Sequence, residues 1–321
     1  MNGRLLTRRG AVAAVATFAL AARAQENRGA IRVLVGYPPG GPADVVARLV
    51  ADKLAAPLGQ AVVVENRAGA GGLVAAQALK AAPADGSVLF LSNAHTVAML
   101  PLIQKNPGFS TEKDFRTVGA AATFELALAA HPGTGATTAE QLGRWFAANP
   151  ARSNIGVPAA GSAPELLGLA LARQFRAEGV PVAYKGAAPL VQDLLAGQVP
   201  AGVSGVAEFL PHHQAGRLRI VALTRTTPLL PGVPSFADVG MPNLELTELL
   251  GLYAPAATPA AVVARYNEAL QRVLQSGEVR DRLQALTMTP VPGTPADHAE
   301  RLGRIQQAMA AAVRQTGYSG A

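Results

Sequence analysis

Three short β-rich runs separated by two stretches of helical period restrict this sequence more than any single residue does. "IRVLVGY" from Ile31, "AVVVEN" from Ala61 and "SVLFLSN" from Ser87 are rich in β-branched and large apolar residues. Between them, Asp44 to Leu58 and Gly71 to Ala82 carry apolar residues at helical spacing. In the first of these, Val46, Leu49, Val50 and Leu54 share one face, while Arg48, Asp52 and Lys53 lie mostly away from it. The order is βαβαβ. It predicts a mostly parallel sheet, because parallel neighbours need a long crossover to bring the chain back to the same end.

The alternation restarts after "FELALAAHPG". Helices are expected over Thr138 to Asn149, Pro164 to Arg176 and Ala187 to Ala196, with a further one ending at Ala215. The strands "SNIGV", "VPVAY", "VPAGVS" and "LRIVALT" are interleaved with them. Two such runs in 321 residues, half of them hydrophobic, predict two α/β domains. The Pro-rich stretch from Thr224 to Asn243 reads as surface loop. Beyond it come a strand "GLYAP", a long helix from Pro259 to Gln275 and terminal helices ending near Gln315.

The formal net charge of +7 would suit an anionic partner, but its position argues otherwise. "MNGRLLTRRGAVAAVATFALAARAQ" places Arg4, Arg8 and Arg9 ahead of an uncharged run, then "ARA", the order of a secretory signal cleaved after Ala24. The apolar run is short of the roughly 20 residues that span a bilayer. Sec and Tat export both fit, since Thr7-Arg8-Arg9 has the twin arginines without the bulky residues that usually follow. Removing residues 1–24 takes away four arginines and no acids, leaving +3 and no argument for nucleic acid. With no cysteine, disulfides, thiolate metal sites and cysteine nucleophiles are excluded together.

In an open parallel sheet, ligands bind beyond the carboxyl ends of the strands, where loops enter helix N-termini. "GYPPGGPAD" occupies such a place. Gly40 and Gly41 let backbone N–H groups approach a ligand, Pro42 suits the first helical turn, and Asp44 is read as a cap for the free N–H groups. "SNAHT", "GSAPELL" and "YKGAAP" are similar strand-to-helix loops. Converging helix N-termini make a site for a small anion without a dedicated arginine. Ser162, just ahead of Pro164, serves equally as N-cap or as ligand contact. No Walker loop is present, and Val74 stands where a dinucleotide fingerprint needs its third glycine. Val206 stands where a nucleophile elbow needs glycine. The five histidines have no metal-ligand spacing, and His95 reads as a loop histidine meeting solvent. Neither an enzyme nor a cofactor is expected.

"VGYPPGGPADVVARLVADKLAAPLGQAVVVENRAGAGG", "PAAGSAPELLG", "VAYKGAAPLVQDLLAGQV" and "PGVPSFADVGMPNLEL" together resemble the Bug-type substrate-binding proteins of tripartite tricarboxylate transporters. The resemblance covers nearly the whole chain after the signal. It implies a type II periplasmic-binding-protein fold: two α/β lobes with mostly parallel sheets and a ligand cleft between them. Residues 25–126 and 249–321 would form lobe 1 and residues 127–248 lobe 2, with crossings near Leu126 to Ala130 and Leu249 to Tyr253. It also implies a periplasmic, monomeric receptor that closes around a small organic carboxylate and delivers it to a membrane permease.

By position, the resemblance makes Tyr37, Pro38, Gly40 and Gly41 a first site loop, gripping a carboxylate through backbone groups and ordered water. Ser92, Asn93, Gly161, Ser162 and Ala163 supply the opposite grip, and Tyr184, Lys185 and Gly186 line the second lobe. Lys185 either adds charge or points to water. Glu65 and Arg67 pin a turn. Two departures from the family pattern stand out: Val203, Ser204 and Gly205 replace a segment that often carries Asp or Asn, and Glu248 with Leu249 stands where others have Ser-Trp. Glu248 reads as a rim residue or as the partner of a cationic ligand group, so an amino-acid ligand stays open beside the carboxylates. Two other functions remain at this point: a sensor docking onto a membrane kinase, and a hydrolase using Ser162 or Ser204.

Overall fold

A computed structural model describes residues 29–318 apart from 245 and 247. The expected export signal, residues 1–24, lies outside the described residues.

Two sheets divide the chain. The first contains β1 (Ile31–Val35), β2 (Val62–Asn66), β3 (Val88–Asn93), β4 (Phe115–Phe124), β10 (Glu248–Pro255) and β11 (Met288–Pro290), in the order β11-β4-β10-β3-β1-β2. The second contains β5 (Leu126–Ala130), β6 (Ile155–Val157), β7 (Pro181–Ala183), β8 (Ala201–Gly205) and β9 (Arg219–Leu223), in the order β7-β6-β8-β5-β9. The βαβ runs pair in parallel, β2-β1-β3 and β7-β6-β8. The other pairings are antiparallel, so each sheet is mixed. The reason is local: β4, β5 and β10 carry the chain between sheets and enter from the opposite end.

The change of sheet occurs at Glu125, between β4 and β5, and again just ahead of β10. Leu126–Ala130 and Leu249 to Tyr253 are therefore not the links themselves. They are strands, buried along their whole length. Unbroken apolar runs give no period that separates a crossing from a buried strand. The first crossing is pinned by Thr224, whose hydroxyl donates to Glu125 Oε2 at 2.8 Å and accepts from the Leu126 N–H at 3.0 Å.

Apolar faces explain the layers. Ile31, Val33 and Val35 of β1 pack with Val46, Val50 and Leu54 of the Pro42–Leu58 helix and Leu270 of the Ala260–Gln275 helix. On the opposite face, Leu34 and Phe90 join a core that continues into the second lobe through Leu128, Phe146 and Leu166. The Pro295–Thr316 helix, started by a Thr294–Asp297 capping box, packs on both β4 and the Ala163–Gln174 helix. Its end is held by Arg173, which donates to the carbonyls of Gln315 and Thr316, and by Tyr318, whose hydroxyl donates to Glu165 at 2.8 Å.

Candidate ligand-binding site

The loop after β1 is built from within. The Gly40 N–H donates to Asp44 Oδ2 at 2.9 Å, and Asp44 also accepts from Arg48 Nε and from Asn66 Nδ2 at 2.8 Å. Burial opposes ionisation of Asp44, but these three donors outweigh it and hold the carboxyl below its usual range. Asp44 does not cap the free N–H groups of the helix as expected, because its carboxyl folds back one residue further, onto Gly40, and is spent on its own loop. Gly40 adopts φ +85°, which glycine reaches without strain.

The Tyr37 hydroxyl lies 3.0 Å from both the Gly71 carbonyl and Asn93 Oδ1, and 3.1 Å from Thr96 Oγ1. Burial pushes its phenol up to about 12, with the bonds to Thr96 and Asn93 opposing and the nearby Glu248 reinforcing, so it stays a donor. Asn93 Oδ1 also accepts the Thr96 N–H at 3.2 Å, which fixes the amide orientation. The Asn93 Nδ2 group is left to face the cleft.

Two adjoining cavities meet at Tyr37, Asn93 and Phe124. One, of about 310 Å³, is walled by Pro38, Pro39, Gly41 and the first turn of the Pro42–Leu58 helix. The other, of about 380 Å³, reaches between the sheets to Ala159, Ser162, Ala187, Ser204 and Gly205. Those residues open the Ala163–Gln174, Ala187–Leu195 and Val206–Gln214 helices. Four helix N-termini therefore border the joined space, and among the described residues no lysine or arginine lines it. A larger cavity of about 450 Å³ lies elsewhere, between Arg173, Arg176 and the Gly240–Leu244 turn. It has none of the strand ends or helix starts that gather donors.

Besides Tyr37, three titratable groups line the second cavity. Burial pushes the Glu248 carboxyl up to about 7 and the His95 imidazole down to about 4, and raises Glu208 against its own backbone N–H. Glu248 Oε2, Glu208 Oε2 and His95 Nδ1 are closed to solvent and have no hydrogen-bond partner. His95 is neutral at pH 7 and packs over Gly71, where an added Cβ would come 2.7 Å from Nε2. Among the described residues, no group of His, Asp and Glu could hold a metal ion.

A family model for the tripartite tricarboxylate transporter family receptor matches residues 46–313. The chain belongs to this family. BugT of Bordetella pertussis is 32% identical to this receptor over 291 residues, 89% of each chain. A Rhodopseudomonas palustris protein solved with adipate is 26% identical, with a TM-score of 0.79 over 91% of the receptor and 98% of that chain. MatC from the same organism, solved with bound malate, is 26% identical, with a TM-score of 0.76 over 89% and 99%. The receptor has the two-lobed α/β fold of these binding proteins.

Against that frame of cavities, the expected site residues divide. Tyr37, Pro38, Gly41, Asn93, Ser162, Ala163, Ser204 and Glu248 line the joined space. Gly40 shapes the loop from behind. Ser92 is fully buried and its hydroxyl turns to the Asn93 carbonyl. Ser162 Oγ donates to the Ala159 carbonyl at 2.7 Å and accepts from the Glu165 N–H at 3.3 Å, so the cap is formed at the cavity wall. The Gly161 N–H is taken by Glu165. The Tyr184 to Gly186 segment stays off the wall: Tyr184 donates to Asp193, the Gly186 N–H goes to the Pro158 carbonyl, and Lys185 is exposed. Glu248 is not a rim residue, because β10 begins inside the cleft and leaves it 4% exposed. His95 does not simply meet solvent, because the helix it opens tucks under the Gly71 turn.

Glu208 and Phe124 are among the wall residues that sequence reasoning missed, as are Leu250 and the turn at residues 158–160. Glu208 looks like an ordinary acid in a first helical turn, and its only signal is the preceding Gly205, where a Cβ would come 2.6 Å from Glu208 Oε2.

Proposed function

We propose that this family member is an exported receptor that captures a small organic carboxylate between its lobes and presents it to a tripartite-transporter permease. The observation that carries the reading is the meeting of four helix N-termini around one cleft that no lysine or arginine of the described residues lines. Free N–H groups and aligned peptide dipoles favour a carboxylate there, and the Asn93 amide, held by Tyr37, adds a side-chain donor. The adipate and malate complexes of its relatives support the same ligand class. Neither Ser162 nor Ser204 is hydrogen-bonded to a histidine, which favours binding over hydrolysis.

Closure is a hinge motion of residues 127–248 against residues 25–126 and 249–321, about Glu125 and the segment before Glu248, with the ligand bridging the lobes. A periplasmic location follows from the basic and apolar leader; no helix among the described residues is long and apolar enough to cross a membrane. Titration calorimetry of ligand-stripped protein with C4 to C6 carboxylates tests the reading. Saturable one-to-one binding is expected. Absence of binding by every carboxylate-bearing compound in a broad panel rejects it.

A further inference from the structure

The two cavities differ in chemistry. The compartment at the start of the Pro42–Leu58 helix has backbone donors and Asn93, and its sole titratable wall residue is Tyr37. The adjoining compartment has two glutamates and a neutral histidine. Among the described residues no lysine or arginine of its wall pairs with the acids, and Glu208 has its own backbone N–H as a donor. Glu125, a third buried glutamate a few residues away in the fold, shows how the chain treats an acid that is purely structural: it accepts from Thr224 and faces Arg225 Nε at 3.7 Å. Glu208 and Glu248 are each left with a carboxyl oxygen that is shielded from water and unpaired. A buried unpaired acceptor costs the fold about 1–3 kcal/mol, and more when ionised. Thr258 Oγ1 and His298 Nδ1 are unpaired as well, but they lie away from the cleft, whereas the two glutamates are among the residues that line the second cavity.

A ligand spanning both compartments thus meets donors without an acid at one end, and at the other two acids set among the starts of three helices. We infer that it is a bipolar molecule, with a carboxylate held by Asn93 and the N-terminus of the Pro42–Leu58 helix and an ammonium or amide N–H group received by Glu208 and Glu248. This inference rests on the carboxylate-receptor reading above and names the ligand class within it. Glu208 comes from the second lobe and Glu248 from the first strand after the chain returns, so the nitrogen end also ties the lobes together. Neutral His95 offers one ring nitrogen as acceptor and the other as donor. The competing arrangement keeps both acids protonated, so that they donate to a second carboxylate.

Matched probes separate the two. Succinate, glutarate and adipate are compared by calorimetry with the ω-amino acids and the monoamides of equal chain length, and with the corresponding diamines. The inference expects, at one chain length at least, an amino or amide probe that binds tenfold or more tightly than its dicarboxylate. Glu208→Gln and Glu248→Gln should each reduce that ratio at least fivefold, with thermal melts checking that both variants fold. The inference is overturned if no nitrogen-bearing probe exceeds its dicarboxylate at any length, the case of no binding at all included, or if the ratio survives both substitutions. Tight dicarboxylate binding alone sinks the inference and leaves the carboxylate receptor standing. Binding of diamines without any carboxylate-bearing probe sinks the receptor reading itself.

Discussion

Replacing Glu248 by Gln should stabilise the ligand-free receptor at alkaline pH. The side chain is 4% exposed, one carboxyl oxygen is unpaired, and burial moves its pKa from 4.5 to about 7. In the unfolded chain the carboxyl ionises freely above about pH 4.5, whereas the folded chain resists until about pH 7. The sign follows: stability from this group is fully present below pH 4.5 and is lost as pH rises through 7. With about 1.4 kcal/mol for each decade, the loss reaches about 3 kcal/mol by pH 8–9. Gln keeps the shape and removes the charge, but an unpaired amide returns about 1 kcal/mol of that gain. The expected net effect is about 2 kcal/mol at pH 8.5, or roughly 3 °C in Tm for a chain of this size, against no gain at pH 4.5. Calorimetric melts of both ligand-stripped proteins at the two pH values measure it. A variant no more stable than the parent at pH 8.5, or a difference independent of pH, would refute the reasoning.

Four further outcomes are expected. Ser162→Ala removes the cap of the Ala163–Gln174 helix and should lower stability by about 1 kcal/mol in denaturant melts, because Ser162 Oγ accepts the Glu165 N–H. Gly71→Ala forces a side chain at φ +67° toward His95 Nε2 and should cost about 1–3 kcal/mol, read as a lower urea midpoint. Tyr37→Phe frees Asn93 and Thr96 to turn and should weaken carboxylate binding by about 1 kcal/mol, seen by calorimetry at unchanged stoichiometry. Asp44→Asn should cost about 1–2 kcal/mol at pH 7. The lowered carboxyl stabilises above pH 3.8 and loses that contribution as pH falls further, so the two proteins should converge in acid melts.

Much of the frame was legible because it rests on local chemistry. The βαβ runs and the Glu65–Arg67 pair, 2.7 Å apart, depend on residues close in sequence. β4 escaped notice because "FRTVGAAATF" is small and alanine-rich, with no turn signal to end it before β5. The Tyr184 to Gly186 loop escaped in the other direction. It resembles the loops that line the cleft, yet its hydrogen bonds to Asp193 and Pro158 are made behind the wall.

By itself the sequence determined which segments become strands and helices, where helices start, and that donors cluster at strand ends. Periodicity, prolines and capping side chains act within a few residues, so the chain carries them openly. Only the tertiary structure decided that Glu208, Glu248 and His95 face one space from three separate elements, shielded from water. Their burial, and with it the ionisation that sets what the cleft accepts, arises from packing between elements of two lobes that are not neighbours in sequence.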